Sequence, residues 1–134
     1  MIIERNEELE VRTSTDVARV RQVVRAWSVE VGFSLVDQTK MVTAASELAR
    51  NTLEHGGGGT ATVLLLAEPG RRGVRLVCRD EGPGIADVAT ALRDGYSTGT
   101  GLGLGLGGAR RLVNEFAIES QKGAGTMVTI TRWK

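Results

Sequence analysis

The chain has 134 residues, and 17 lysines and arginines stand against 16 aspartates and glutamates, for a net charge of +1. That is one domain's worth of an ordinary globular composition, with no basic stripe to predict a nucleic-acid surface, since the 14 arginines are scattered. The single Cys78 excludes an internal disulfide or a cysteine-based zinc site, and no 18-residue apolar stretch is present to span a membrane. Met1 to Asn6 lacks a basic region followed by an apolar run, so no signal peptide is expected and the cytoplasm is the expected location.

Alternating charged and apolar residues over Glu8–Thr13 predict an edge strand. Ser14 or Thr15 is placed to cap a helix running to Val31, with Val17, Val20, Val24, Trp27 and Val31 on one face and Gly32 as its stop. Asp37 opens a second predicted helix, apolar at Met41, Ala44, Ala45 and Leu48, which ends near Glu54 before Gly56–Gly59. Thr60–Ala67 and Val74–Cys78 are continuous apolar runs and read as central strands, with Cys78 as a small buried hydrophobe. A hairpin over Pro69–Gly73 joins them.

Beyond Asp80 the pattern weakens to a short helix near Asp87–Arg93, a helix over Ala109–Phe116, and a strand pair, Ala117–Ser120 and Thr126–Trp133. The expected architecture is α+β: a two-layer sandwich with a mixed, mostly antiparallel sheet and helices on one face, in a single domain over 1–134. Trp27 and Trp133 are expected in packing roles, and His55 in capping or packing the end of the second helix.

Three segments carry chemistry. In Glu47-Leu-Ala-Arg-Asn51, a carboxylate and an amide project from one helical face. The carboxylate can take a proton from an attacking hydroxyl, and the amide oxygen can ligate a hard ion such as Mg²⁺. Asp80-Glu-Gly82-Pro-Gly84 holds an acceptor at a strand end, with glycines that let a flat ring approach the backbone. An acceptor there suits the exocyclic amine of adenine and not the carbonyl of guanine.

Gly99–Gly108 has six glycines in ten residues, interleaved with Leu102, Leu104 and Leu106. Gly103-x-Gly105-x-x-Gly108 has the form of a dinucleotide fingerprint, but residues 94–100 are Gly/Ser/Thr-rich where a strand is required. No Gly-Lys-Ser/Thr occurs, which excludes a P-loop. The run reads instead as a flexible lid opening the helix that carries Arg110 and Arg111, with backbone amides toward phosphate oxygens.

In order and content these segments resemble the N, G1 and G2 boxes of the GHKL (Bergerat-fold) ATPase/kinase superfamily. The resemblance implies MgATP as the ligand, Asn51 as the magnesium ligand and Glu47 as general base. It implies Asp80, Gly82 and Gly84 at the adenine, and Gly101, Gly103, Gly105 and Gly107 in the lid. Thr126 matches the threonine that in these proteins supports the adenine edge through water. A tighter likeness, over nearly the whole chain, is to the serine kinases of bacterial partner-switching systems and, within that group, to the stressosome switch kinases. It is carried by Val36-Asp37-Gln38, Ser46–Asn51, Asp80–Ile85, Asp94-Gly-Tyr96-Ser-Thr98 and Arg111–Phe116.

That group's activity is transfer of the γ-phosphate of MgATP to a serine or threonine of a STAS-domain antagonist, followed by release to activate a PP2C-type phosphatase in a stress response. One departure is a lid without the proline expected near its helix. Two other readings stay open: an anti-sigma factor that sequesters a sigma subunit, and the ATP-binding domain of a sensor histidine kinase. The latter needs a phosphoacceptor histidine on a dimerisation helix, whereas His55 stands beside Asn51.

Overall fold

The computed structural model describes residues 1–85, 87–92 and 105–134. The described elements are β1 (Ile2–Val11), α1 (Ser14–Val31), α2 (Leu35–Glu54), β2 (Gly59–Glu68), β3 (Arg71–Asp80), α3 (Val88–Ala91), α4 (Leu106–Arg111), β4 (Glu115–Ser120) and β5 (Thr126–Trp133). Among these residues one sheet forms in the order β1-β2-β3-β5-β4. Every pairing in it is antiparallel, so the expected mixed sheet is wholly antiparallel. The physical reason is local: β2–β3 and β4–β5 are hairpins, and the α1–α2 pair returns the chain beside β1 in the reverse direction.

Alternation decides which side of the sheet is covered. Ala61, Val63 and Leu65 of β2, Val74 and Leu76 of β3, and Ile130 of β5 are all buried against α1 and α2. α1 contributes the face read from its sequence, with Val17, Val20, Val24, Trp27 and Val31 buried. Each such side chain stabilises the fold by about 1.5–3 kcal/mol relative to exposure. The α+β sandwich with helices on one face is therefore as expected.

Several boundaries differ. β1 begins at Ile2, well before Glu8, because a register shift between Ile3 and Arg5 keeps it paired with β2 as far as Ala67. Thr13, and not Ser14 or Thr15, caps α1: its hydroxyl accepts from the Asp16 amide at 3.2 Å while Asp16 Oδ2 accepts from the Thr13 amide at 3.1 Å. α2 begins at Leu35 because Ser34 Oγ accepts from the Asp37 amide. The hairpin turn is confined to Pro69-Gly70, and Arg71–Gly73 already lie in β3.

α3 covers only Val88–Ala91, capped by Asp87. The helix expected over Ala109–Phe116 is instead α4, over Leu106–Arg111. Glu115 and Phe116 belong to β4, where pairing with Thr131 and Ile130 outweighs continued helix. Trp27 and Trp133 pack as expected, with the Arg5 and Arg71 guanidiniums lying 5.3 Å and 4.0 Å from their ring centroids.

Candidate functional site

The strand ends Gly59, Asp80, Thr126 and Ser120 meet at one end of the sheet, where the last turn of α2 also arrives. Between them lies a cleft. Leu48, Ile85, Leu106 and Val128 give it apolar walls, and Asn51, Thr52, Asp80 and Thr126 add polar groups. A mostly apolar cleft with a few convergent polar groups is the usual form of a small-molecule site. Cys78 forms part of its floor, and burial pushes this thiol up to about 12, so it is an inert packing group there.

Asp80 ends β3, and its Oδ1 accepts from the Gly82 amide at 2.9 Å. Burial raises its pKa above the ordinary aspartate value, against the lowering effect of hydrogen bonds from the Gly82 and Thr126 amides and of the nearby His55 charge. The turn after Asp80 is gripped by the β4–β5 hairpin. The Gly123 amide donates to the Pro83 carbonyl, and a β-carbon on Gly84 would strike the Gln121 carbonyl. Gly84 also has φ +72°, so both space and conformation require glycine. Gly82 packs on Gly56 and does not itself line the cleft.

Glu47 and Asn51 divide between two hollows. Asn51 lines the cleft, whereas Glu47 faces an adjoining groove with Thr43, Gly105, Gly108, Arg111 and Leu112. Positions four apart on a helix differ by about 40° in direction, which suffices for this division. Arg50 Nη1 donates to Glu47 Oε1 at 2.8 Å, which sets the direction of the carboxylate. Gly105 enters α4 against Glu47 with φ +69°, Leu106 closes the cleft wall, and Gly107 is buried in α4. Gly101 and Gly103, with Tyr96, Leu102 and Leu104, lie outside the described residues. His55 is the C-cap of α2, with its amide donating to the Asn51 carbonyl, and it borders the cleft.

Two residues with clear structural parts were missed from sequence. Ser120 Oγ contacts the Ile85 amide, the Gly125 carbonyl and the Thr126 hydroxyl. Arg132 joins Asp37 Oδ1 at 2.6 Å to the Leu112 carbonyl at 2.8 Å, tying the start of α2 to the end of α4. Neither leaves a local signal, because their partners are set by strand pairing and helix packing.

An antiparallel sheet under two helices, with the cleft at one end of the sheet, matches the histidine kinase-like ATPase fold. The Histidine kinase-like ATPase domain profile matches residues 11–132, and the chain belongs to that family. It is 39% identical over 123 residues to "Serine/threonine-protein kinase RsbT" of Bacillus subtilis (strain 168), covering 92% of each chain. Within the family it is accordingly an enzyme of the serine/threonine kinase type.

Two solved structures share the fold. The RsbU and RsbW domains of Rv1364c from Mycobacterium tuberculosis superpose with TM-score 0.60 at 24% identity, over 96% of this chain and 32% of that one. The histidine kinase domain of the Erythrobacter litoralis EL346 blue-light activated histidine kinase gives TM-score 0.54 at 18% identity, over 87% and 59%. Among the described residues no helix is long and apolar enough to cross a membrane.

Proposed function

We propose that this chain transfers the γ-phosphate of MgATP to a serine or threonine of a STAS-domain antagonist protein in a cytoplasmic, stress-responsive partner switch. Once released from that antagonist, it binds and activates a PP2C-type phosphatase. The observation that carries this reading is the adjacency of the Asn51–Asp80–Thr126 cleft and the Glu47 groove, two hollows separated by one helical turn. The likeness to a serine/threonine kinase over nine-tenths of both chains supports it.

In this reading Asp80 accepts from the adenine amine, Thr126 supports the same edge, and Gly84 lets the ring approach the backbone. Asn51 holds the magnesium. A hard ion that keeps water and phosphate oxygens needs only one or two protein oxygens, and the Asn51 amide at the cleft wall fits that demand. When bound, the ion offsets the charge of the phosphates.

Glu47 orients the acceptor hydroxyl and takes its proton as the new oxygen–phosphorus bond forms and the bond to the β-phosphate oxygen breaks, leaving ADP. The groove lined by Thr43, Arg111 and Leu112 admits the acceptor segment toward Glu47. At the start of α4, Gly105 and Gly107 turn backbone amides toward the phosphates. The phosphate placed on the antagonist adds up to two negative charges, enough to break a complementary interface.

The test is to incubate the protein and MgATP with STAS-domain proteins of the same genome and read intact mass, with Glu47→Ala as control. One phosphate gained on a serine or threonine, absent with the variant, supports the reading. No transfer to any of them, with a sigma subunit captured instead, overturns it in favour of a sequestering anti-sigma factor.

A further inference from the structure

Ser120 ends β4 and pairs with Thr126 at the start of β5. Three groups surround its hydroxyl oxygen: the Ile85 amide at 2.8 Å, the Gly125 carbonyl at 3.0 Å and the Thr126 hydroxyl at 2.8 Å. A serine hydroxyl has one hydrogen to give and two lone pairs to receive with. The Gly125 carbonyl only accepts, so it takes the serine hydrogen. The Ile85 amide only donates, and it fills one lone pair. The second lone pair is left for the Thr126 hydroxyl, which must therefore be the donor of that contact. With its hydrogen committed to Ser120, the Thr126 oxygen has only lone pairs to turn toward the cleft.

Thr126 lines that cleft beside Asp80, whose ionised carboxylate is also an acceptor. We propose, resting on the assignment of this cleft to a purine nucleotide, that Ser120 is a positioning residue that fixes the polarity of the Thr126 hydroxyl. The wall at Asp80 and Thr126 then offers two acceptors from side chains. It selects a purine with a donor at its 6-position, such as the amine of adenine, and disfavours one with a carbonyl there. Ser120 itself does not line the cleft, so its influence on the base runs through Thr126. The same hydroxyl ties down the turn at Ile85, and that second task predicts a different signature: weaker binding of every nucleotide by one common factor.

The experiment measures dissociation constants for ATP and GTP on the unmodified protein, Ser120→Ala, Ser120→Thr, Thr126→Val and the Ser120→Ala/Thr126→Val pair. Ser120→Ala is expected to reduce the ATP-over-GTP ratio by about fivefold, the worth of one neutral hydrogen bond. Thr126→Val, which leaves the Ile85 and Gly125 contacts of Ser120 in place, is expected to reduce it equally, with no further loss in the double variant. Ser120→Thr restores the hydroxyl and the ratio. An unchanged ratio in Ser120→Ala or in Thr126→Val, whatever the change in overall affinity, overturns the role given to Ser120 while leaving the nucleotide assignment standing. No preference for ATP in the unmodified protein overturns both.

Discussion

Gly105 enters α4 so close to Glu47 that a β-carbon on it would collide with Glu47 Oε2, and its φ is +69°. An L-residue there costs about 1–2 kcal/mol in backbone energy and pushes the carboxylate aside. Gly105→Ala is predicted to fold with that modest loss and, because Gly105 also stands at the phosphate end of α4, to weaken ATP binding modestly. Its transfer rate should fall by about tenfold or more, since misplacing a catalytic group by an ångström is enough. Thermal melts, ATP titration and kcat measured together separate these effects.

Asp80→Asn is predicted to weaken ATP binding while stabilising the ligand-free fold at neutral pH. Burial raises the Asp80 pKa, so the folded state holds this proton more tightly than the unfolded chain. The stability tied to the protonated form is fully present below the unfolded value of 3.8 and is lost as pH rises through the higher folded value. Asparagine carries no such penalty. Its melting temperature should therefore exceed that of the unmodified protein at pH 7, and the gap should close toward pH 3. A lower melting temperature for the variant at both pH values would refute this.

The half-buried pair Asp37–Arg132 is predicted to matter for the end of α4 as well as for stability. Arg132 has a side chain only 14% exposed, and it bonds both Asp37 and the Leu112 carbonyl. Asp37→Ala strands that guanidinium and should cost about 1–3 kcal/mol. Asp37→Ala/Arg132→Met removes the stranded charge and should cost less than Asp37→Ala alone. Urea titrations of the two variants decide the order.

Asn51→Ala is predicted to remove the metal's contribution to nucleotide affinity. ATP should bind the unmodified protein more tightly with Mg²⁺ than with chelator, and the variant should show nearly equal values in the two conditions. A variant that keeps the full Mg²⁺ effect removes Asn51 as the ligand.

Much of this molecule is legible from spacing. The face of α1, the two central strands and the Asp80 turn follow from apolar periodicity and turn residues, which are local properties. Where the reading failed, the deciding partner was distant. Glu115 and Phe116 look helical until β5 is there to pair with them. α4 begins three residues earlier than its apolar pattern suggests, because Leu106 is buried against the core. Ser120 and Arg132 gain meaning only from the hairpin and the helix end that they touch. Glu47 and Asn51 share a face in sequence, yet the 40° between them sends one to the groove and the other to the cleft.

The central claim is that Glu47 acts on the acceptor hydroxyl and not on the nucleotide. The most direct measurement is the single-turnover rate of phosphate transfer by Glu47→Gln beside its ATP dissociation constant. Loss of a positioned base should slow transfer by about 100-fold or more with ATP affinity unchanged. Transfer at the unmodified rate, or a loss explained wholly by weaker ATP binding, would contradict it.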